Sequence, residues 1–202
     1  MTIEGIDGAG KSTQVEPLAA HLRARGHDVL TTHEPGATLL GCELRRVLLE
    51  SEVALEPRTE LFLFLADRVE HVRRVIAPAL AAGTIVLCDR FADSTIAYQG
   101  YGRATDLDEV RRWDTASRDG IAPDLTLLLD CPLAVAAPRR RHASDRYQSL
   151  DDAFHERVRA GFLALAAAEP RRIRRIDASA PIETVRAEIA AVVDRWLAER
   201  VG

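Results

Sequence analysis

The chain has 202 residues, a formal net charge of −4, and 47% hydrophobic against 29% charged residues. That balance suits one globular domain and excludes a generally basic nucleic-acid or membrane-surface binder. The three cysteines, Cys42, Cys88 and Cys131, are widely spaced and show no metal-ligand pairing, and no run of 18 apolar residues occurs. They are expected reduced, buried and structural, no spanning helix is expected, and the expected compartment is the cytoplasm.

The first predicted strand, Thr2–Glu4, runs straight into Gly5-Ile6-Asp7-Gly8-Ala9-Gly10-Lys11-Ser12. Either three residues suffice for a central strand, or the natural start lies upstream. The stretch fits G-x-x-x-x-G-K-[ST], the phosphate-binding P-loop. Its glycines let the backbone turn tightly and aim successive N–H groups at phosphate oxygens. A helix predicted over 12–25, stopped by Gly26, points the positive end of its dipole at the same anion. Lys11 can reach the terminal phosphates, and the Ser12 hydroxyl can ligate Mg²⁺. Of 27 basic Lys and Arg residues, Lys11 is the one lysine. The sequence uses arginine everywhere else, so a compact ammonium was needed there. Pro17 is expected to kink this helix.

A second strand is expected over 28–32, followed by a turn at His33-Glu34-Pro35-Gly36-Ala37-Thr38 and a helix over 38–50 that carries Arg45 and Arg46. Pro57 opens a long helix to residue 82, with Gly83 as its stop and Pro78 bending its end. Its stretch 61–65 is apolar all round, which means burial on more than one side, against the core or a second copy. Phe64 and Arg68 share one face of it. An aromatic ring beside a guanidinium can stack on and bond a flat heterocycle, although core and surface placement is the blander account. The third strand, 84–88, delivers Asp89-Arg90-Phe91 at its carboxyl end. Asp89 there can ligate Mg²⁺ or its waters and Arg90 can bind a second phosphate, or the two simply pair.

The segment from Ala92 to Gly100 is dense in hydrogen-bonding side chains. Asp106 and Glu109 form a capping box for a helix ending near Gly120. A fourth strand is expected over 125–130, and Pro132 opens another helix. Four arginines then fall within eight residues, at Arg139, Arg140, Arg141 and Arg146. Beside a P-loop they suggest a basic lid, at about 139–150, that closes over phosphates. A helix follows over 151–168, then Arg171 to Arg175 as a basic surface loop and strand edge, with the last strand at Ile173–Asp177. A closing helix over 182–200 places Ile182, Val185, Ile189, Val192, Val193 and Trp196 in the core. Strands alternating with helices predict an α/β fold, a five-stranded parallel sheet covered on both faces, in one domain spanning 1–202. Ligands in such sheets bind beyond the carboxyl ends of the strands.

These motifs, in this order and over nearly the whole chain, resemble the thymidylate kinase family of bacterial type, with its P-loop nucleoside monophosphate kinase fold. The resemblance rests on the P-loop through Thr13, Glu34-Pro35-Gly36, Phe64-x-x-x-Arg68, Asp89-Arg90-Phe91, Ser94-Thr95-x-Ala97-Tyr98-Gln99-Gly100, 123–130 and Asp145-Arg146. It implies transfer of a phosphoryl group from ATP to dTMP with Mg²⁺, in a homodimer, without nucleic-acid or membrane partners. It implies ATP binding by Gly5, Ile6, Asp7, Gly8, Ala9, Gly10, Lys11, Ser12 and Thr13. Asp7 would hold the deoxyribose 3′-hydroxyl and, with Ser12 and Asp89, sit at the metal. Glu34, Pro35 and Ser94 would line the substrate site, and Arg45 and Arg90 would bind the dTMP phosphate. Phe64 would stack on thymine, Arg68 would bond its carbonyl edge, Thr95 and Gln99 would contact the base, and Tyr98 would crowd the sugar 2′ position. The P-loop interior holds no arginine, so the catalytic arginine is expected in the lid, from Arg139, Arg141 or Arg146, beside Lys11, Asp89 and Arg90. The chain departs from the family pattern at Pro17, His33, Ala37 and Gln148. Two other readings are a kinase for a different monophosphate, against which Phe64, Arg68 and Tyr98 stand, and a degenerate nucleotide switch, against which Lys11, Ser12, Asp89 and Arg90 stand.

Overall fold

The computed structural model describes residues 1–140 and 146–201. Five parallel strands, β1 (Thr2–Glu4), β2 (Val29–His33), β3 (Ile85–Asp89), β4 (Thr126–Asp130) and β5 (Ile173–Asp177), form one sheet in the order β2-β3-β1-β4-β5. The short β1 lies at its centre because β3 and β4 pair with it on either side, Ile3 opposite Asp89 and Glu4 opposite Leu128. Ile3, Leu87, Leu127 and Leu129 are fully buried, which is what a sheet covered on both faces demands. Among the described residues the helices are α1 (Lys11–Arg23), α2 (Leu39–Arg45), α3 (Pro57–His71), α4 (Ala77–Ala81), α5 (Ala92–Thr95), α6 (Leu107–Ser117), α7 (Leu133–Ala136), α8 (Asp152–Ala168) and α9 (Ile182–Val201).

Local signals explain most boundaries. Thr38 caps α2 by accepting from the Gly41 N–H at 2.9 Å, Asp106 caps α6 through Glu109 N–H at 2.8 Å, and Asp151 caps α8 through Phe154 N–H at 2.7 Å. Gly26 and Gly83 take positive φ after α1 and α4. The long helix expected from Pro57 is not uniform. It widens to a π-helical stretch at Val72–Ile76 before α4. Pro78 lacks an N–H and its ring crowds the carbonyl four residues back, which a wider turn relieves. Helix α1 passes through Pro17 without a break in its assigned helix.

Two expectations need correction. Ile182, the first residue of α9, is 47% exposed; Val185, Ile189 and Val193 are the buried set. Cys42 is exposed on α2, although Cys88 and Cys131 are buried and all three are free. The basic stretch after α8 lies in a loop and on the edge strand β5, as expected, with Arg172 paired to Asp93 at 2.7 Å and Arg175 to Asp130 at 2.6 Å.

Candidate active site

The carboxyl ends of β1, β2 and β3 open into a cleft of about 910 Å³. Its floor is the phosphate loop. Gly8 and Gly10 hold φ of 86° and 91°, and a Cβ at Gly8 would strike the Ala136 carbonyl at the end of α7, so only glycine fits. Ile6 and Ala9 turn into the core, while Asp7, Gly8, Gly10, Lys11, Ser12 and Thr13 line the cleft. Lys11 Nζ donates to the carbonyls of Gly5 at 3.1 Å and Ile6 at 3.0 Å. Burial first, and the Arg90 guanidinium second, lower its ammonium from its ordinary value to about 8. An anion entering the loop reverses that balance.

The Ser12 hydroxyl donates to Asp89 Oδ2 at 2.8 Å, and Asp89 Oδ1 is buried with no partner. An orphan carboxylate oxygen beside a hydroxyl is the hard oxygen pair a Mg²⁺-like cation takes. Among the described residues no group of three or more His, Cys, Asp or Glu side chains could hold a metal unaided. Asp7 is committed elsewhere. Arg90 Nη2 donates to its Oδ1 at 2.5 Å and the Tyr98 hydroxyl to its Oδ2 at 3.1 Å. Burial pushes the Asp7 carboxyl up, but Arg90 and Lys11 outweigh it and hold the group below its ordinary value.

Arg90 sits at φ 68°, a left-handed conformation unusual for a branched polar chain. Three bonds enforce it. Arg90 N–H donates to Ile3 O at 3.0 Å, Phe91 N–H to Glu4 Oε1 at 2.7 Å, and Ser94 Oγ to Glu4 Oε2 at 2.6 Å. Arg90 Nη1 then reaches Ser94 Oγ at 3.0 Å, and its guanidinium lies over the Tyr98 ring at 4.9 Å. The buried Glu4, which the sequence reading passed over, thus shapes the turn that aims Arg90 into the cleft.

The far end of the cleft is aromatic and precisely bonded by buried charge. Phe64, Thr95, Tyr98, Gln99 and Tyr147 line it. Arg68 is buried with Nε at 2.9 Å and Nη2 at 2.7 Å from Glu34 Oε2, and Nη1 at 2.7 Å from Thr95 Oγ1 and 2.6 Å from Asp114 Oδ1. Those four bonds use four of a guanidinium's five N–H groups and leave one on Nη2. Burial would push the Glu34 carboxyl up, but Arg68, with His71 at 2.9 Å, holds it below the usual range. Gln99 Nε2 donates to Glu60 Oε1 and to the Tyr147 hydroxyl, both at 3.2 Å. Among the described residues its amide oxygen takes no bond.

Arg45 lines the cleft and donates to Pro35 O at 2.8 Å. Of the lid arginines, Arg139 lines the cleft and donates to Ala178 O at 3.1 Å. Arg141 lies outside the described residues. Arg146 is not brought to the phosphate loop: its Nη2 donates at 3.0 Å to the buried Glu60, which it shares with Arg103. Arg140, which the spacing did not single out, lines the cleft with Nε and Nη2 unpartnered. Tyr147 and Glu60 were also missed, although Glu60 stands four residues before Phe64 and so on its helix face.

A phosphate loop at the end of the central strand, a carboxylate and hydroxyl beside it, and a base-sized aromatic recess at the other end of one cleft define a P-loop kinase of nucleoside monophosphates. Comparison with known proteins narrows that class. The family model described as Thymidylate kinase matches residues 3–189. The chain is 50% identical to the thymidylate kinase of Desulfovibrio desulfuricans over 99% of this chain and 97% of that one. It is 48% identical to that of Deinococcus radiodurans over 96% and 95%. The crystal structure of thymidylate kinase from Ehrlichia chaffeensis superposes with a TM-score of 0.79 at 36% identity, covering 96% of each chain. The chain belongs to the thymidylate kinase family.

Proposed function

We infer that the chain transfers the γ-phosphoryl group of ATP to dTMP, giving dTDP and ADP. One observation carries the choice of base. Arg68 keeps one spare N–H and Gln99 one spare carbonyl oxygen in the same recess. That donor and acceptor match the O4 and N3–H of thymine; cytosine presents the reverse pattern.

The residues divide the work. Phe64 stacks on the base, Thr95 supports Arg68, and Tyr98 crowds the sugar 2′ position while holding Asp7 toward the 3′-hydroxyl. Arg45 and Arg90, with Glu34, Pro35 and Ser94 around them, receive the dTMP phosphate. Residues 5–13 cradle the ATP phosphates, with Lys11 on the terminal groups. Ser12 and Asp89 would hold Mg²⁺, with Asp7 nearby. Such a cation neutralises charge on the bridging phosphate oxygens. A dTMP phosphate oxygen attacks the γ-phosphorus in line, the bond to the β–γ bridging oxygen breaks, and ADP leaves carrying the electron pair. No covalent enzyme intermediate forms. The chain forms one domain, and residues 139–150 close over the phosphates with Arg139, Arg140 and Arg141 as the cationic face and Arg146 as the anchor. ADP formation should require both dTMP and a divalent cation; turnover that survives EDTA, or ADP formed equally well without dTMP, would defeat this reading.

The protein acts in the cytoplasm as a homodimer. Leu39 is 93% exposed on α2, and Leu40, Phe62 and Val69 are exposed on α2 and α3, apolar side chains that a second copy would cover. Among the described residues no helix is long and apolar enough to cross a membrane. Sedimentation equilibrium should return twice the 22.2 kDa chain mass; a single-chain mass at micromolar concentration would refute the dimer.

A further inference from the structure

Glu60 is fully buried on α3. Three cations or donors converge on it. Arg103 reaches it with Nε at 3.1 Å and Nη2 at 2.8 Å, Arg146 with Nη2 at 3.0 Å, and Gln99 with Nε2 at 3.2 Å. Burial first, and the charge of the Glu60 carboxylate second, raise the Tyr147 phenol so that it keeps its proton.

These bonds decide which way the Gln99 amide faces. A carboxylate accepts and never donates. The Tyr147 hydroxyl accepts from Gln99 Nε2 at 3.2 Å and so offers it a lone pair. Both neighbours of the amide inside the protein are therefore acceptors, and both N–H groups of Gln99 are drawn to them. The carbonyl oxygen is left for the recess. Turning the amide over would set its oxygen against the Glu60 carboxylate and the Tyr147 lone pair, leaving buried groups unpaired.

We propose that Glu60 is a specificity-determining positioning residue: by holding the Gln99 amide with its oxygen toward the base, it selects a pyrimidine with a proton on N3. This rests on the dTMP kinase reading above. It also gives Arg146 a part in specificity, since the lid arginine and the base-reading glutamine share one carboxylate.

Glu60→Gln tests it. With Arg103 and Arg146 beside it, the new amide turns its oxygen to the guanidiniums and its NH₂ to Gln99. Gln99 then flips and presents a donor to the base. The ratio of kcat/KM for dTMP over dCMP should fall at least tenfold, though not invert, because Arg68 still disfavours the cytosine amino group. The ratio for dTMP over dUMP should stay within twofold, since the two bases share the N3 and O4 edge. If activity on all three substrates falls in proportion, Glu60 is a packing residue and the proposal is overturned. If Glu60→Gln does not fold, Tyr147→Phe carries the test, as it leaves the carboxylate in place. An unchanged dTMP over dCMP ratio then supports Glu60 as sufficient, and a collapsed ratio refutes it. Wild-type turnover favouring dCMP would instead defeat the base assignment itself, before any variant is read.

Discussion

Lys11 is the residue at which burial and chemistry pull against each other. In the free protein the ammonium is bonded only to loop carbonyls, and burial lowers it to about 8. Its ordinary value is 10.5. Between those values the free site holds a neutral amine. ATP phosphates restore the charge, so binding draws in a proton, more at pH 9 than at pH 7. Calorimetry of ATP binding in two buffers of different ionisation enthalpy should show net uptake rising over that range, and no difference between pH 7 and pH 9 would contradict the lowered amine. The P-loop role of Lys11 was legible in the sequence because its spacing to Gly5 and Gly10 is fixed by phosphate geometry. The roles of Arg140 and Arg146 were not, because a run of arginines carries no mark of which guanidinium meets a carboxylate and which is left open.

Among the elements, β1 and the turn after β3 act as one unit. Glu4 ends β1, and its two carboxyl oxygens receive Phe91 N–H and Ser94 Oγ across the sheet. Burial first, and the like charge of Asp93 second, raise Glu4 to about 8. The folded protein therefore holds a proton on Glu4 from about pH 4.5 to about pH 8, where the unfolded chain does not. Stability from this group is complete at low pH and lost as pH rises through that window. Glu4→Gln removes the titration while keeping an acceptor for Phe91. Urea midpoints at pH 5, 7 and 8.5 should decline less steeply in the variant; parallel slopes would show that Glu4 does not titrate there. Nothing in Thr2–Glu4 announced this, because partners some 90 residues away have no local signature. The helix cap at Asp106 was legible because both bonding groups lie within three residues. The π-helical stretch at Val72–Ile76 was not, since Pro78 specifies a strain but not how the preceding turns absorb it.

The whole molecule was readable as an alternation of strands and helices, since each buried parallel strand needs an apolar run and each crossover a helix. The strand order was not readable, since it depends on which faces meet. The order β2-β3-β1-β4-β5 matters because it sets Asp89 beside the phosphate loop and the Arg90 turn against Glu4. The cleft that results has a phosphate end and a base end joined through Arg90, Asp7 and Tyr98. The decisive experiment uses both ends at once: ADP production from Mg·ATP with dTMP, dUMP, UMP, CMP, GMP and AMP in turn. The expected result is highest kcat/KM on dTMP, lower on dUMP, lower still on UMP, and little on the rest. Highest activity on CMP, GMP or AMP would contradict the base recess, and ATP binding with no turnover on any of the six would contradict the kinase.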